Sequence, residues 1–223
     1  MMNTFRLWSG LSLILATLFS ATANSKEAYN PDLFYFMEGK DVAPWQMSIN
    51  YGKSPIRFGE GESTKGSIVA TPSEKASGGH AVRLVWSPKG VKNEWGYPDQ
   101  NVHTLTVSNS TKTIDLEPVK MVAALVFDVK VNKAPRKMVE LSMGCDWNWE
   151  CRSTIPIKTA LKKLPKKKWV SFPVPLQCFD DGKFNFSKVH TVFQMYTSDK
   201  MDIEIDDIRL AAFPQDKVSC PRR

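Results

Sequence analysis

The sequence predicts an all-β fold, an antiparallel β-sandwich or jelly roll, and three observations carry that expectation. Apolar residues recur with a period of two in several stretches, clusters of turn residues separate those stretches, and helical periodicity is scarce. The chain has 223 residues, with no Gly/Ser-rich or Pro-rich linker and no internal repeat, so it reads as one domain rather than two.

The elements follow in chain order. "FMEGKDVAPWQ" places Glu38 at a strand-to-turn boundary, ahead of Trp45 in a strand context. "HAVRLVW" (80–86) sets Val82, Leu84 and Trp86 on one face, and "AALVFDVKV" (123–131) does the same with Leu125, Phe127, Val129 and Val131. One or two helical turns are expected at Thr159–Leu164, stopped by Pro165. "WVSFPVPL" (169–176) is extended, but Pro173 and Pro175 lack the amide hydrogen a central strand needs, which restricts it to an edge. "MDIEIDDIRL" (201–210) puts Ile203 and Ile205 on one face and then slips phase to Ile208 and Leu210, which predicts a bulge near the paired aspartates. Trp45, Trp86 and Trp169 are assigned to the core.

The N-terminus reads as an export signal over residues 1–23. Arg6 supplies a positive start, Leu7 to Phe19 an apolar stretch too short for a comfortable membrane span, and Ala21-Thr22-Ala23 the small-residue cleavage pattern. The mature chain, 24–223, is then periplasmic or secreted, with no integral membrane anchor. An oxidising compartment favours disulfides among Cys145, Cys151, Cys178 and Cys220. The short Cys145–Cys151 loop is read as one pair, leaving Cys178 with Cys220 to tie down the C-terminal tail. Zinc is the lesser alternative, because no CxxC and no nearby histidine accompany the cysteines.

The net charge is +7, or +6 without Arg6, and much of the excess lies in "LKKLPKKKW" (161–169). Such a run is either a solvated loop or a contact for an anionic polymer or surface. Nucleic acid is a poor partner for an exported chain. Motifs for catalysis are missing from the sequence: His80, His103 and His190 form no metal spacing, and there is no GxSxG, P-loop or GxGxxG. A glycosidase needs only two carboxylates, whose pairing spacing does not reveal, so a glycan-active hydrolase or lyase stays open. Asp206 and Asp207 sit inside an apolar strand, where a carboxylate requires either a basic partner or a cation such as Ca²⁺.

"AALVFDVKVNKAP", "CDWNWEC", "LKKLPKKKWVSFPVPLQCF" and "IEIDDIRL", with "EGKDVAPWQMSI" and "TIDLEPV", resemble the galactose-binding-like domain of ExoP-type exo-β-glucanases, C-terminal to the barrel of family 3 glycoside hydrolases. The resemblance covers most of residues 34–212. It implies a jelly-roll carbohydrate-binding domain with a structural Ca²⁺ held by Glu38 and Asp206, Asp207 standing by, and polysaccharide as the partner. A glycoside hydrolase acting on the same glycan is a further implied partner. Here the domain stands behind a signal peptide instead of a barrel, and its cysteine loop carries two tryptophans.

Those tryptophans suit a sugar, whose C–H faces stack on an indole. A disulfide-closed loop holds Trp147 and Trp149 rigid before ligand arrives, and an extended segment would turn both to one side. Asp146, Asn148, Glu150 and Arg152 would hydrogen-bond hydroxyls beside them. Trp95 and Tyr97, in the loop "KNEWGYPDQ", are a second aromatic pair able to complete the face. The leading reading is a non-catalytic, exported binder of a β-glucan-like or anionic polysaccharide. The alternatives are the carboxylate-dependent enzyme and a periplasmic interaction domain using residues 162–168.

Overall fold

The computed structural model describes residues 29–75 and 78–221; the expected signal peptide and its cleavage site lie outside them. Fourteen strands form two antiparallel sheets that face one another. The first sheet runs in the order β12 (Trp169–Pro175), β9 (Ala123–Lys133), β14 (Met201–Ala212), β7 (His80–Trp86), β6 (Ile68–Glu74), β5 (Gly61–Glu62). Beside this path β1 (Phe34–Met37) also pairs with β14, and β2 (Lys40–Asp41) with β1. The second sheet runs β11 (Arg152–Pro156), β10 (Glu140–Cys145), β13 (Val189–Tyr196), β8 (Thr104–Ser108), β3 (Gln46–Ile49), β4 (Ser54–Pro55).

The period-two faces become the core between the sheets. Leu125, Phe127, Val129 and Val131 of β9 and Val82, Leu84 and Trp86 of β7 are buried, as expected. The second sheet answers with Met47, Ile49, Leu105, Val107, Leu141, Met143, Phe193 and Met195. Phe127 meets Phe193 edge-on across the gap at 5.1 Å. The buried indoles are satisfied: Trp45 Nε1 donates to Pro31 O at 2.7 Å and Trp86 Nε1 to His103 O at 3.0 Å. Trp169 departs from expectation. Because β12 is an edge strand, its ring is only half-buried and packs against the Lys75 ammonium at 5.6 Å.

The phase slip in β14 is a bulge: register shifts between Asp206 and Arg209, with Asp207 at φ 49°. The proline-bearing β12 pairs with β9 alone, so it is an edge strand, where no second neighbour calls for the amide hydrogens that Pro173 and Pro175 lack. The single α-helix of the described residues, α1, spans Lys158–Lys163 and ends ahead of Pro165. Both cysteine pairs are disulfides, Cys145–Cys151 and Cys178–Cys220, which removes the thiolates a zinc site would need. Among the described residues no helix is long and apolar enough to cross a membrane.

Candidate functional site

The outer face of the second sheet is the unusual surface of this molecule. Its inward positions are apolar except Ser153, and most of its outward positions are polar, many of them Ser or Thr. One cross-strand row reads Ser48, Thr106, Gln194, Ser142, Thr154. The next reads Gln46, Ser108, Thr191, Gly144, Arg152. Ser48, Thr106, Ser142 and Gln194 are at most 3% exposed although they point away from the core. Neighbouring hydroxyls bond across strands, Ser48 with Thr106 at 2.7 Å and Ser142 with Thr154 at 2.8 Å. The result is a floor of donors and acceptors set at strand spacing.

Aromatic rings stand over one end of that floor. The Cys145–Cys151 loop is not extended. Asp146 and Trp147 both have positive φ, 54° and 48°, and two turns follow, with Asn148 N–H donating to Cys145 O and Cys151 N–H to Asn148 O. The premise that spacing alone would turn both tryptophans alike therefore fails, and each finds its own neighbour. Trp147, 54% exposed, lies with its ring 5.7 Å from that of His190, and its backbone N–H donates to His190 Nδ1 at 3.3 Å. Trp149, 49% exposed, carries the Arg152 guanidinium over its ring at 3.8 Å and meets Tyr51 edge-on at 5.2 Å.

Tyr51 reaches this place from the far side of the sheet. The turn after β3 has three consecutive left-handed residues, Asn50, Tyr51 and Gly52, which curl the chain back over the floor. A cavity of about 160 Å³ opens beneath, lined by Tyr51, Thr106, Ser108, Trp147, His190 and Thr191 among others. Gly144 gives the His190 ring room here: a Cβ would come to 3.2 Å from His190 Cε1 and Thr191 Cβ, closer than ordinary van der Waals contact. Burial lowers the His190 pKa against the opposing pull of Asp146, so the ring is held neutral with Nδ1 as the acceptor for Trp147.

The polar neighbours sort into two kinds. Arg152 is in the site. Asp146 instead anchors the loop, accepting from Asn185 Nδ2 at 2.9 Å and facing Lys188 Nζ at 3.5 Å. Asn148 Oδ1 caps Glu150 N–H at 3.0 Å. Trp95 and Tyr97 are exposed, on a separate loop folded around Asn93 Oδ1, and neither lines the cavity. That loop enters β8 at Thr104, the end opposite Ser108, over which the cysteine loop hangs. Tyr51, His190 and the hydroxyl floor were not singled out in the sequence. Their signal was the left-handed turn "NYGK" and the alternating "TLTVS".

The residues expected to hold Ca²⁺ meet elsewhere, on the first sheet. Gly39 N–H donates to Asp206 Oδ1 at 2.9 Å and Glu38 N–H to Asp207 Oδ1 at 3.4 Å. The Lys75 ammonium lies among the carboxylates, 2.9 Å from Asp206 Oδ2, 2.5 Å from Asp207 Oδ2 and 3.1 Å from Asp128 Oδ2. Glu38 Oε1 accepts from the Tyr29 hydroxyl at 3.1 Å. As arranged, the set does not fit a divalent ion: a fixed positive charge already sits where the carboxylates converge, and a second would be repelled. The one grouping of potential ligands among the described residues, Cys145, Asp146 and Cys151, has its sulfurs bonded to each other.

Solved structures similar to this chain share its architecture. The extra C-terminal domain of the exo-1,3/1,4-β-glucanase ExoP from a Pseudoalteromonas species has a TM-score of 0.57 at 15% identity, over 84% of this chain and 96% of that one. The whole enzyme gives 0.57 at 16% identity, covering 88% of this chain and 23% of the enzyme, so the chain spans about a quarter of it. A family 30 carbohydrate-binding module gives 0.50 at 13% identity, over 86% of this chain and 89% of the module. No curated protein matches the chain. A family profile does: Exop_C, described as galactose-binding domain-like, matches residues 43–210, well over half of the sequence, and the chain belongs to that family.

Proposed function

We propose that this protein is an exported, non-catalytic polysaccharide-binding domain that lays a glycan on the outer face of its second sheet. The observation that carries the reading is the joining of exposed aromatics, Trp147 and Tyr51, to Ser, Thr and Asn side chains in one cavity. A sugar ring presents apolar C–H faces and a rim of hydroxyls, and this surface offers an indole for the first and hydrogen-bonding groups for the second. Trp147 is the stacking platform. Trp149 has one face under Arg152 and an edge against Tyr51, so it acts as the brace that positions both.

Binding is favoured over hydrolysis because the residues lining the cavity include no Asp or Glu, the pair a glycosidase requires. The match to the Exop_C family and the likeness to the ExoP extra domain support a β-glucan as the ligand, and a glucanase acting on that polymer as the functional partner. Two disulfides support an oxidising compartment, periplasmic or extracellular. The structural cation of the first sheet we assign to Lys75, in place of the expected Ca²⁺.

The test is affinity electrophoresis of the mature protein through laminarin, mixed-linkage glucan, alginate and xylan. Retardation by a glucan is expected. Trp147→Ala should weaken binding by about 1–3 kcal/mol, as loss of an aromatic stacking partner does elsewhere. Trp149→Ala should weaken it by displacing Arg152 and Tyr51. Free migration in every gel, or retardation untouched by both substitutions, would refute the reading.

A further inference from the structure

A further aromatic stands fully in solvent past the far edge of the same sheet, in the connection from β4 to β5. Phe58 is 95% exposed. It sits in a two-residue turn closed by paired bonds between Arg57 and Glu60, each N–H to the other's carbonyl at 2.9 Å. Phe58 and Gly59 have φ 52° and 81°, the left-handed pair that such a turn normally gives to Asn-Gly. A phenylalanine there is doubly unfavourable: its Cβ opposes the left-handed backbone, and its ring is left in water. The turn is also fixed in place, because Gly59 lies so close to Pro72 of β6 that an added Cβ would be 3.1 Å from its Cα.

The surroundings of the ring combine apolar and polar groups. A cavity of about 420 Å³ adjoins it, lined by Lys40, Asp41, Gln46 and Arg57 together with Phe36 and Phe58. Asp41 accepts Met47 N–H on Oδ1 at 2.8 Å, and its other oxygen takes no hydrogen bond from the described residues. Gln46 connects this cavity to the site already described. It stands in the outward row next to Ser108, which pairs in turn with Thr191 beneath the Trp147 loop. Two strand spacings separate Thr191 from Gln46, roughly 10 Å.

From this continuity we infer that Phe58 and the cavity beside it form a second sugar-stacking subsite, at the far end of a path that crosses the strands from Trp147 by way of Ser108 and Gln46. The ligand is then an extended stretch of polysaccharide held at two aromatic positions, and not a single terminal sugar. The inference rests on the glycan-binding reading and goes beyond it. Lys40, Asp41, Gln46 and Arg57 set hydrogen-bonding groups beside the ring, the pairing of apolar face and polar rim that a sugar requires.

Titration calorimetry with oligosaccharide ladders cut from mixed-linkage glucan and laminarin tests this. Two variants remove the ring: Phe58→Ala, and Phe58→Asn, which suits the left-handed turn and should raise the melting temperature. Wild-type affinity should climb with chain length. Both variants should match it on the shortest oligosaccharide that binds and fall about ten-fold behind on long ones, the loss of one stacking contact. Trp147→Ala should be weak at every length. Phe58 variants that follow wild type at all lengths, while Trp147→Ala stays weak, would overturn the second subsite and leave the first standing. Wild-type protein that binds neither ladder would overturn both.

Discussion

At the scale of single residues, His190 decides how the platform is held. Its Nδ1 accepts the Trp147 amide hydrogen, a bond only the neutral ring can accept, and burial keeps the folded pKa below the ordinary 6.5. The sign follows from linkage. The unfolded chain takes up the proton first, so stability is full above about 6.5 and is lost as pH falls from there through the depressed folded value. Glycan affinity should decline over the same acidic window. His190→Asn, with an amide oxygen near the Nδ1 position, should bind with a flatter pH profile. An unchanged profile in that variant would remove His190 from the account. Such a role was not legible in the sequence, where three scattered histidines match no motif. It depends on Gly144, a neighbour across the strand pair that no local pattern announces.

At the scale of elements, the long strands were legible and the short ones were not. β7, β9 and β14 state their faces by alternation, and the slip at Asp206-Asp207 reads directly as a bulge. β2, β4 and β5 are two residues long, too short for any period to show. The cysteine loop illustrates the limit differently. Left-handed backbone at Asp146 and Trp147 is set by closure of the ring and by Asp146 N–H bonding to Lys188 O, not by residue type.

The bulge in β14 also concentrates charge. Asp206 is buried, faces Asp128 across the ladder, and has its pKa raised by desolvation against the pull of Lys75. Removing that lysine strands a buried carboxylate. Lys75→Met should therefore lower stability by about 3 kcal/mol, the usual cost of breaking a buried pair. Thermal unfolding of the parent should be the same in calcium and in a chelator. A chelator-induced drop in its melting temperature would return the cation's place to a metal.

For the whole molecule, the two ends of the second sheet have opposite characters. β10 runs from Glu140 to Cys145, so the tryptophan loop is separated from the 133–139 and 157–168 connections by one strand length, about 20 Å. The latter connections carry Lys133, Arg136, Lys158 and Lys163 around two surface clefts, with Lys166, Lys167 and Lys168 exposed close by. The basic run thus lies exposed at this pole, apart from the aromatic path. The disulfides divide along the same axis. Cys145–Cys151 closes 6 residues and Cys178–Cys220 closes 42. On the chain-entropy relation the first stabilises by about 2 kcal/mol and the second by about 4. Replacing Cys178 and Cys220 by serine should show mainly in the melting temperature with binding intact, whereas replacing Cys145 and Cys151 should show mainly in glycan affinity. Equal effects on both readouts would contradict that division.

The hydroxyl floor has a consequence for the energetics of recognition. The cavity over that floor brings Thr106, Ser108 and Thr191 together with the Trp147 and Tyr51 rings, so hydrogen-bonding groups and aromatic faces meet a ligand side by side. A glycan settling there exchanges ordered solvent for its own hydroxyls and covers apolar area only at the rings. Calorimetry should accordingly show association driven by enthalpy, opposed by entropy, and with a heat-capacity change small for the surface covered.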